Sequence, residues 1–325
     1  NIDRASGSIR TCLNTEKEYV GFSKRWATNI TSKIKSLAQY VTSIQIVMRA
    51  WQAIKQGFEF VKTLDASLTA INFTMAVSSS KLKELGDSAI RAAQDLGTTA
   101  TQVLDVAKVY ANMQTTPEQI IELAKPTIML SNASGIEAST ASDYIQSVLQ
   151  QFEMKDDEAQ HIVDVYESLS ANIKVDFADG INRIAEGVQT AGALVHEAGF
   201  SFSDFGAIVA KTTEKTRQSG SVIGNAWKTI VSRISKASDV TDEEVDTATL
   251  SAASKSLSKV GIEVYNADGS FKNLKTTLGK LSSIWDTLTD AQQAEISYSV
   301  AGIRNRNQFA VAIKSYAEIG RASCR

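Results

Sequence analysis

Apolar residues recur at helical spacing along most of this chain. From about Phe22 they step by four and three: Ile30, Ile34, Leu37, Val41, Ile44, Met48 and Trp51. This is a heptad seam, and it continues more loosely through Ile54, Phe58, Val61, Leu64, Leu68 and Ile71. A helix of some 50 residues would be about 75 Å long and could not bury such a stripe alone. Pairing with copies of itself is marginally preferred over packing on the domain that follows. Beyond Ser78 the period persists but the segments shorten. Ser78, Thr99 and Ser201 or Ser203 stand where helix caps are needed, Thr115-Thr116-Pro117-Glu118 combines a capping box with an early proline, and Gly97, Gly135 and Gly199 stand where helices end. Eight short amphipathic helices with brief connections predict a compact helical domain up to about residue 238.

The period changes once. Val260-Gly-Ile-Glu-Val-Tyr265 alternates like a strand, Asn266-Ala-Asp-Gly269 reads as a turn, and Ser270–Lys272 as a short returning strand. Helices resume over Leu274–Leu288, after Thr289, and from Arg304 to Tyr316. The expected class is all-α: a long N-terminal coiled-coil-like helix, then a multi-helix domain with one small β-hairpin. The expected divisions are an irregular segment 1–21, the heptad helix 22–77, a compact core 78–238, a linker, helix and hairpin 239–272, and C-terminal helices 273–317. Residues 318–325 read as an in-frame translated sequencing adapter and are set aside. With Asn1 at the start and no leader pattern behind it, the sequence has the look of an internal start.

Two stretches stand out. In Arg217–Ile234, RQSGSVIGNAWKTIVSRI, Gly220 and Gly224 lie four apart with Trp227 close by. A bare glycine face beside a large aromatic suits close approach of another helix, preferred here over a ligand site. Ser221 would cap the helix if it starts late. The second stretch, Ile284–Ser315, contains Ala301-Gly302-Ile303-Arg304-Asn305. Its Arg304–Asn307 patch could touch phosphates, but capping and salt bridges are the better reading.

Gly220–Ile234, Val260–Phe271 and Asp286–Asn307, in that order, resemble the core of the phage tail tape measure family, and the likeness runs from about Leu64 to Ser315. Gly302, Arg304 and Asn305 carry its most specific motif. The resemblance implies a virion-tail structural protein, present in the host cytoplasm during assembly, that sets tail length and is released at DNA injection. It implies as partners copies of itself, tail-tube protein, tail assembly chaperones and baseplate or tail-tip initiator proteins, with the host membrane as a further candidate. The 78–316 region would dock on initiator or tube proteins or act on a membrane at delivery. Many members carry a cell-wall hydrolase, but no stretch here looks like one.

Composition narrows the alternatives. Two prolines and 18 glycines in 325 residues favour long helices, and 7% aromatics with 43% hydrophobic residues favour amphipathic helices over one dense core. A net charge of −2 argues against sequence-specific nucleic-acid binding. The charge is uneven: residues 1–60 hold nine Lys/Arg against four Asp/Glu, and 137–186 three against eleven. Cys12 and Cys324 lack metal-ligand neighbours. His196-Glu197 opens like a zinc-protease helix, but Phe200 stands where a second histidine is required. No catalytic residue, cofactor or metal is expected. The rival readings are a membrane-perturbing helical protein and a cell-wall hydrolase-bearing tail protein.

Overall fold

The computed structural model describes residues 44–112, 116–235, 247–266 and 271–322. They form twelve α-helices: α1 Ile44–Met75, α2 Ser79–Leu96, α3 Ala100–Asn112, α4 Pro117–Ser134, α5 Ala138–Gln151, α6 Ala159–Ala171, α7 Phe177–Glu197, α8 Phe202–Thr216, α9 Gly220–Ser235, α10 Thr247–Ser258, α11 Leu274–Ile284 and α12 Asp290–Ala322. The architecture is all-α. Of the seam, Ile30, Ile34, Leu37 and Val41 lie outside the described residues, and Ile44, Met48 and Trp51 fall on the backbone of α1. The expected segment 1–21, Cys12, Cys324 and the expected linker at 237–242 also lie outside them.

Local chemistry sets the boundaries. The Ser78 hydroxyl accepts from Lys81 N, and Gly97 closes α2 in the left-handed region at φ 63°. Thr99 and Gln102 exchange bonds at the start of α3, and the Gln119 amide reaches back to Thr116 N at the start of α4. Ser201 and Asp204 form a full capping box on α8. Thr289 and Gln292 do the same at α12. α4 continues through Pro126.

The chain divides into two compact units between Met129 and Leu130, inside α4. In the first, α1 packs chiefly on α3, and α2 on α3. Leu68 and Ile71, on the looser continuation of the seam, are buried with Leu82, Leu85, Val103, Leu104 and Leu123. Tyr110 and Thr127 share a buried hydrogen bond of 2.5 Å. In the second unit α7 is central, packed by α5, α6, α8 and α9, while α12 lies on α8, α9, α10 and α11.

Among the described residues the expected β-hairpin is not seen. After α10 the N–H groups of Val260, Gly261 and Ile262 donate to Leu257, Ser258 and Leu257 carbonyls, with Gly261 at φ 79°. Those donors close a helix end and are lost to any ladder. What remains is an isolated antiparallel bridge between Tyr265 and Phe271, with Lys272 N donating to Val264 O at 2.8 Å. The alternation of Ile262 and Val264 reflects two side chains buried from an irregular segment.

Candidate functional site: the glycine pack and the break at Gly302

α9 begins at Gly220, and the Ser219 carbonyl accepts from Ile223 N. Ser221 therefore lies in the first turn instead of capping it. Ile223, Ala226, Trp227, Ile230, Val231 and Ile234 are buried, while Val222 stays exposed. The glycine face meets α7 backbone to backbone. A Cβ on Gly220 would stand 1.8 Å from the Arg183 carbonyl oxygen, and one on Gly224 would stand 2.6 Å from Thr190 Cβ and 2.9 Å from the Gly187 carbonyl. Trp227 is fully buried, edge-on to Phe200 at 5.8 Å and Phe205 at 6.0 Å.

Arg183 ties this contact to the turn before it. Its Nε donates to Asp179 one turn back, and Nη1 donates to the Arg217 and Gln218 carbonyls at 2.8 Å. Those carbonyls end α8, where Arg217 takes a left-handed φ of 60°. A cation at a helix C-terminus is favourable on both charge and hydrogen-bonding grounds. Arg183 was missed from sequence because it acts on residues 34 and 35 positions away. The only local trace is its i,i+4 spacing from Asp179, which by itself reads as a surface pair.

The far end of α9 reaches the second distinctive stretch. α12 is helical on both sides of Gly302, but Gly302 itself sits at φ 70°, ψ 177°. That region is open essentially to glycine alone. The Arg233 guanidinium fills the bend: a Cβ on Gly302 would be 2.8 Å from its Nη1. Arg233 Nη1 donates to the Tyr298 carbonyl at 3.5 Å, while its Nε is buried with no hydrogen-bond partner among the described residues. Gln218, before α9, accepts from Gln308 at 2.9 Å. The two stretches thus form one site, with Gly220, Gly224 and Trp227 on one face of α9 and Gly302 against its last turn.

Of the motif residues, Arg304 is exposed and Asn305 half-buried. Among the described residues neither Arg304 nor Arg306 has an ion pair, so the expected salt bridges are absent there. Ile303 is 73% exposed and Tyr298 55%. On the other flank α8 is tied to α11. The Asp204 carboxylate accepts from Lys275 Nζ at 2.7 Å and Ser201 Oγ at 2.6 Å. Burial alone would raise its pKa, but the bonds from Lys275 and Ser201 outweigh that and hold it below the ordinary carboxylate value.

Among the described residues no group of three or more His, Cys, Asp or Glu could hold a metal ion, and no helix is long and apolar enough to cross a membrane. His161 faces solvent on α6. His196 stacks edge-on against Phe152 at 5.4 Å. The site is a mechanical junction of helices.

Residues 86–302 match the family described as phage-related minor tail protein. This chain belongs to that family. The match covers the whole glycine pack and stops at Gly302, so Arg304 and Asn305 lie just beyond it. The chain is also similar to a tape measure protein of Pneumococcus phage Dp-1, 25% identical over 271 residues. That alignment spans 81% of this chain and 21% of the relative. No solved structure matches. Membership in the minor tail family makes this a structural protein of a phage tail.

Proposed function

We propose that this chain is part of a tape measure protein, which sets tail length by templating tail-tube assembly and leaves the tail at DNA injection. The observation that carries the reading is the similarity, over four-fifths of the chain, to a tape measure protein about four times its length. A protein of that size has room for both a ruler and a folded section. The 32-residue α1 fits the ruler principle, since a helix converts residue number into distance at about 1.5 Å each. The compact helices that follow are the docking part, which engages tail-tube, baseplate or tail-tip initiator proteins, with tail assembly chaperones covering the chain beforehand. Copies of the chain associate through the seam Ile30, Ile34, Leu37, Val41, Ile44, Met48 and Trp51. Its location is the virion tail, with the host cytoplasm as its place during assembly.

The test is an in-frame deletion of residues 30–43, two heptads, in the phage. The phase of the seam is kept, and tails should shorten by about 21 Å, read as a mean over many virions by electron microscopy. Tails of unchanged length would sink the ruler reading. Sedimentation of the purified parent chain as a monomer would sink the self-association part.

A further inference from the structure

We propose that Gly302 is the joint of one long helix that the compact fold holds broken, and that the two arms of α12 on either side of it straighten when Arg233 lets go. This inference rests on the fold alone and is independent of the tail-length reading.

The break consumes a single residue. The chain is helical up to Ala301 and again from Ile303, so turning the two backbone angles of Gly302 from 70° and 177° to helical values restores continuity. No proline lies between Asp290 and Ala322 to forbid it, and one glycine inside a helix costs only about 1 kcal/mol relative to alanine.

The second stretch also starts in a way that a designed helix start avoids. Elsewhere Ser78, Asp176, Ser201, Asn273 and Thr289 supply side-chain caps. Here Ala301 and Gly302 have nothing to offer the free N–H groups, and Arg304 and Arg306 occupy the first turn. Cations at a helix N-terminus oppose the helix dipole. In a continuous helix the same residues are interior positions, where neither penalty applies. Ile303, exposed at the joint beside two arginines, adds an apolar side chain that the broken form leaves in water.

Tertiary contacts hold the break against these local preferences. Ile296, Val300 and Ala301 are buried on one side of it, and Phe309, Ala312 and Ile313 on the other. Ser299 bonds to Ser256 at 2.6 Å, and the Tyr316 hydroxyl donates to the Lys275 carbonyl at 2.7 Å. Arg233 fills the angle between the arms and holds the Tyr298 carbonyl. Straightening frees one arm from its seat, so the broken form predominates in the isolated chain. Counted from Asp290 to Ala317, the straight form is a rod of about 42 Å.

The experiment measures spin-label distances in the full chain, with both native cysteines changed to serine and labels at Ala294→Cys and Lys314→Cys, two exposed positions. In a continuous helix their backbones stand about 30 Å apart. The parent should give one shorter distance. Gly302→Ala should add a population near 30 Å in at least a tenth of the molecules, with helical circular dichroism retained or increased. Arg233→Ala should do the same with Gly302 untouched. If both variants keep the parental distance alone, the joint does not open and the proposal fails. A fall in helical signal in Gly302→Ala overturns it equally, because alanine then destroys the fold instead of extending the helix.

Discussion

The two units of this chain pack helices by opposite rules. In the first, side chains set the spacing. Leu82, Leu85, Ala89, Ala92 and Ala93 of α2 lie in a core with Val103, Leu104 and Ala107 of α3, and the one buried glycine of α2, Gly86, faces the end of the Leu68 side chain. In the second, at the contact of α7 with α9, backbone sets the spacing, because Gly220 and Gly224 bring one helix against the carbonyls of another. A core of side chains can adjust by rotamer changes, whereas a carbonyl can move only with its whole helix. The second unit should therefore be the more exacting of the two, and it holds the junction that the family match spans.

Gly220→Ala breaks the comparison most directly. The new methyl group would lie 1.8 Å from the Arg183 oxygen, so α7 and α9 must separate. Alanine recovers about 1 kcal/mol of helix propensity, far too little to offset it. The expected loss is above about 3 kcal/mol, the upper range for overpacked cores. Urea unfolding followed by Trp227 fluorescence in the same helix reads it. A loss under about 1 kcal/mol would mean that the helices stand farther apart than the geometry gives.

The units differ in their ion pairs as well. Lys81–Glu118 and Lys125–Asp95 in the first are surface pairs with both partners well exposed. In the second, the Asp204 side chain is 6% exposed and the Lys275 side chain 49%. Asp204 has a depressed folded pKa, so its stabilisation is present above the unfolded carboxylate value and is lost as pH falls through the folded one. Lys275→Met leaves that carboxylate buried with Ser201 alone, and burial then raises its pKa. The variant should lose about 1–2 kcal/mol at neutral pH, kept at the low end because Lys275 is half in solvent. Its acid-unfolding midpoint should move to higher pH. Lys81→Met should leave the unfolding midpoint unchanged, since solvent screens an exposed pair. Equal effects from the two variants would erase the distinction.

What could be read from sequence follows the range of the interaction. Caps at Ser78, Ser201 and Thr289 were legible because the cap and the N–H or amide it serves lie within three residues. At α4 the sequence suggests a box ending on Glu118, and the bond found is one residue later, from Thr116 N to the Gln119 side chain. The glycine spacing in Gly220–Gly224 marks a bare face, but nothing local says that Arg183 and Thr190 fill it. A helix boundary between Val300 and Arg304 was legible, though not that it is a single residue with Arg233 set into it, since that contact joins residues some 69 positions apart. The hairpin failed for a local reason. Val260–Tyr265 alternates like a strand, yet its first three N–H groups are claimed by the end of α10, and alternation does not show where donors are spent.

The smallest effect expected is the sharpest test of the contrast. Gly86 is buried like Gly220, but it lies inside its helix and has no second glycine four residues away, whereas Gly220 opens α9 and is paired with Gly224. A Cβ on Gly86 would meet Leu68 Cδ1 at 3.0 Å, with the other Leu68 atoms at 3.8 Å or beyond. That neighbour is the tip of a side chain, which can yield by a few tenths of an ångström. The cost of that yielding is set against about 1 kcal/mol gained by replacing glycine in a helix. Gly86→Ala should therefore change the urea midpoint by the equivalent of no more than about 0.5 kcal/mol, in either direction. If it destabilises as strongly as Gly220→Ala, α1 and α2 are as tightly apposed as α7 and α9, and the two units obey one rule.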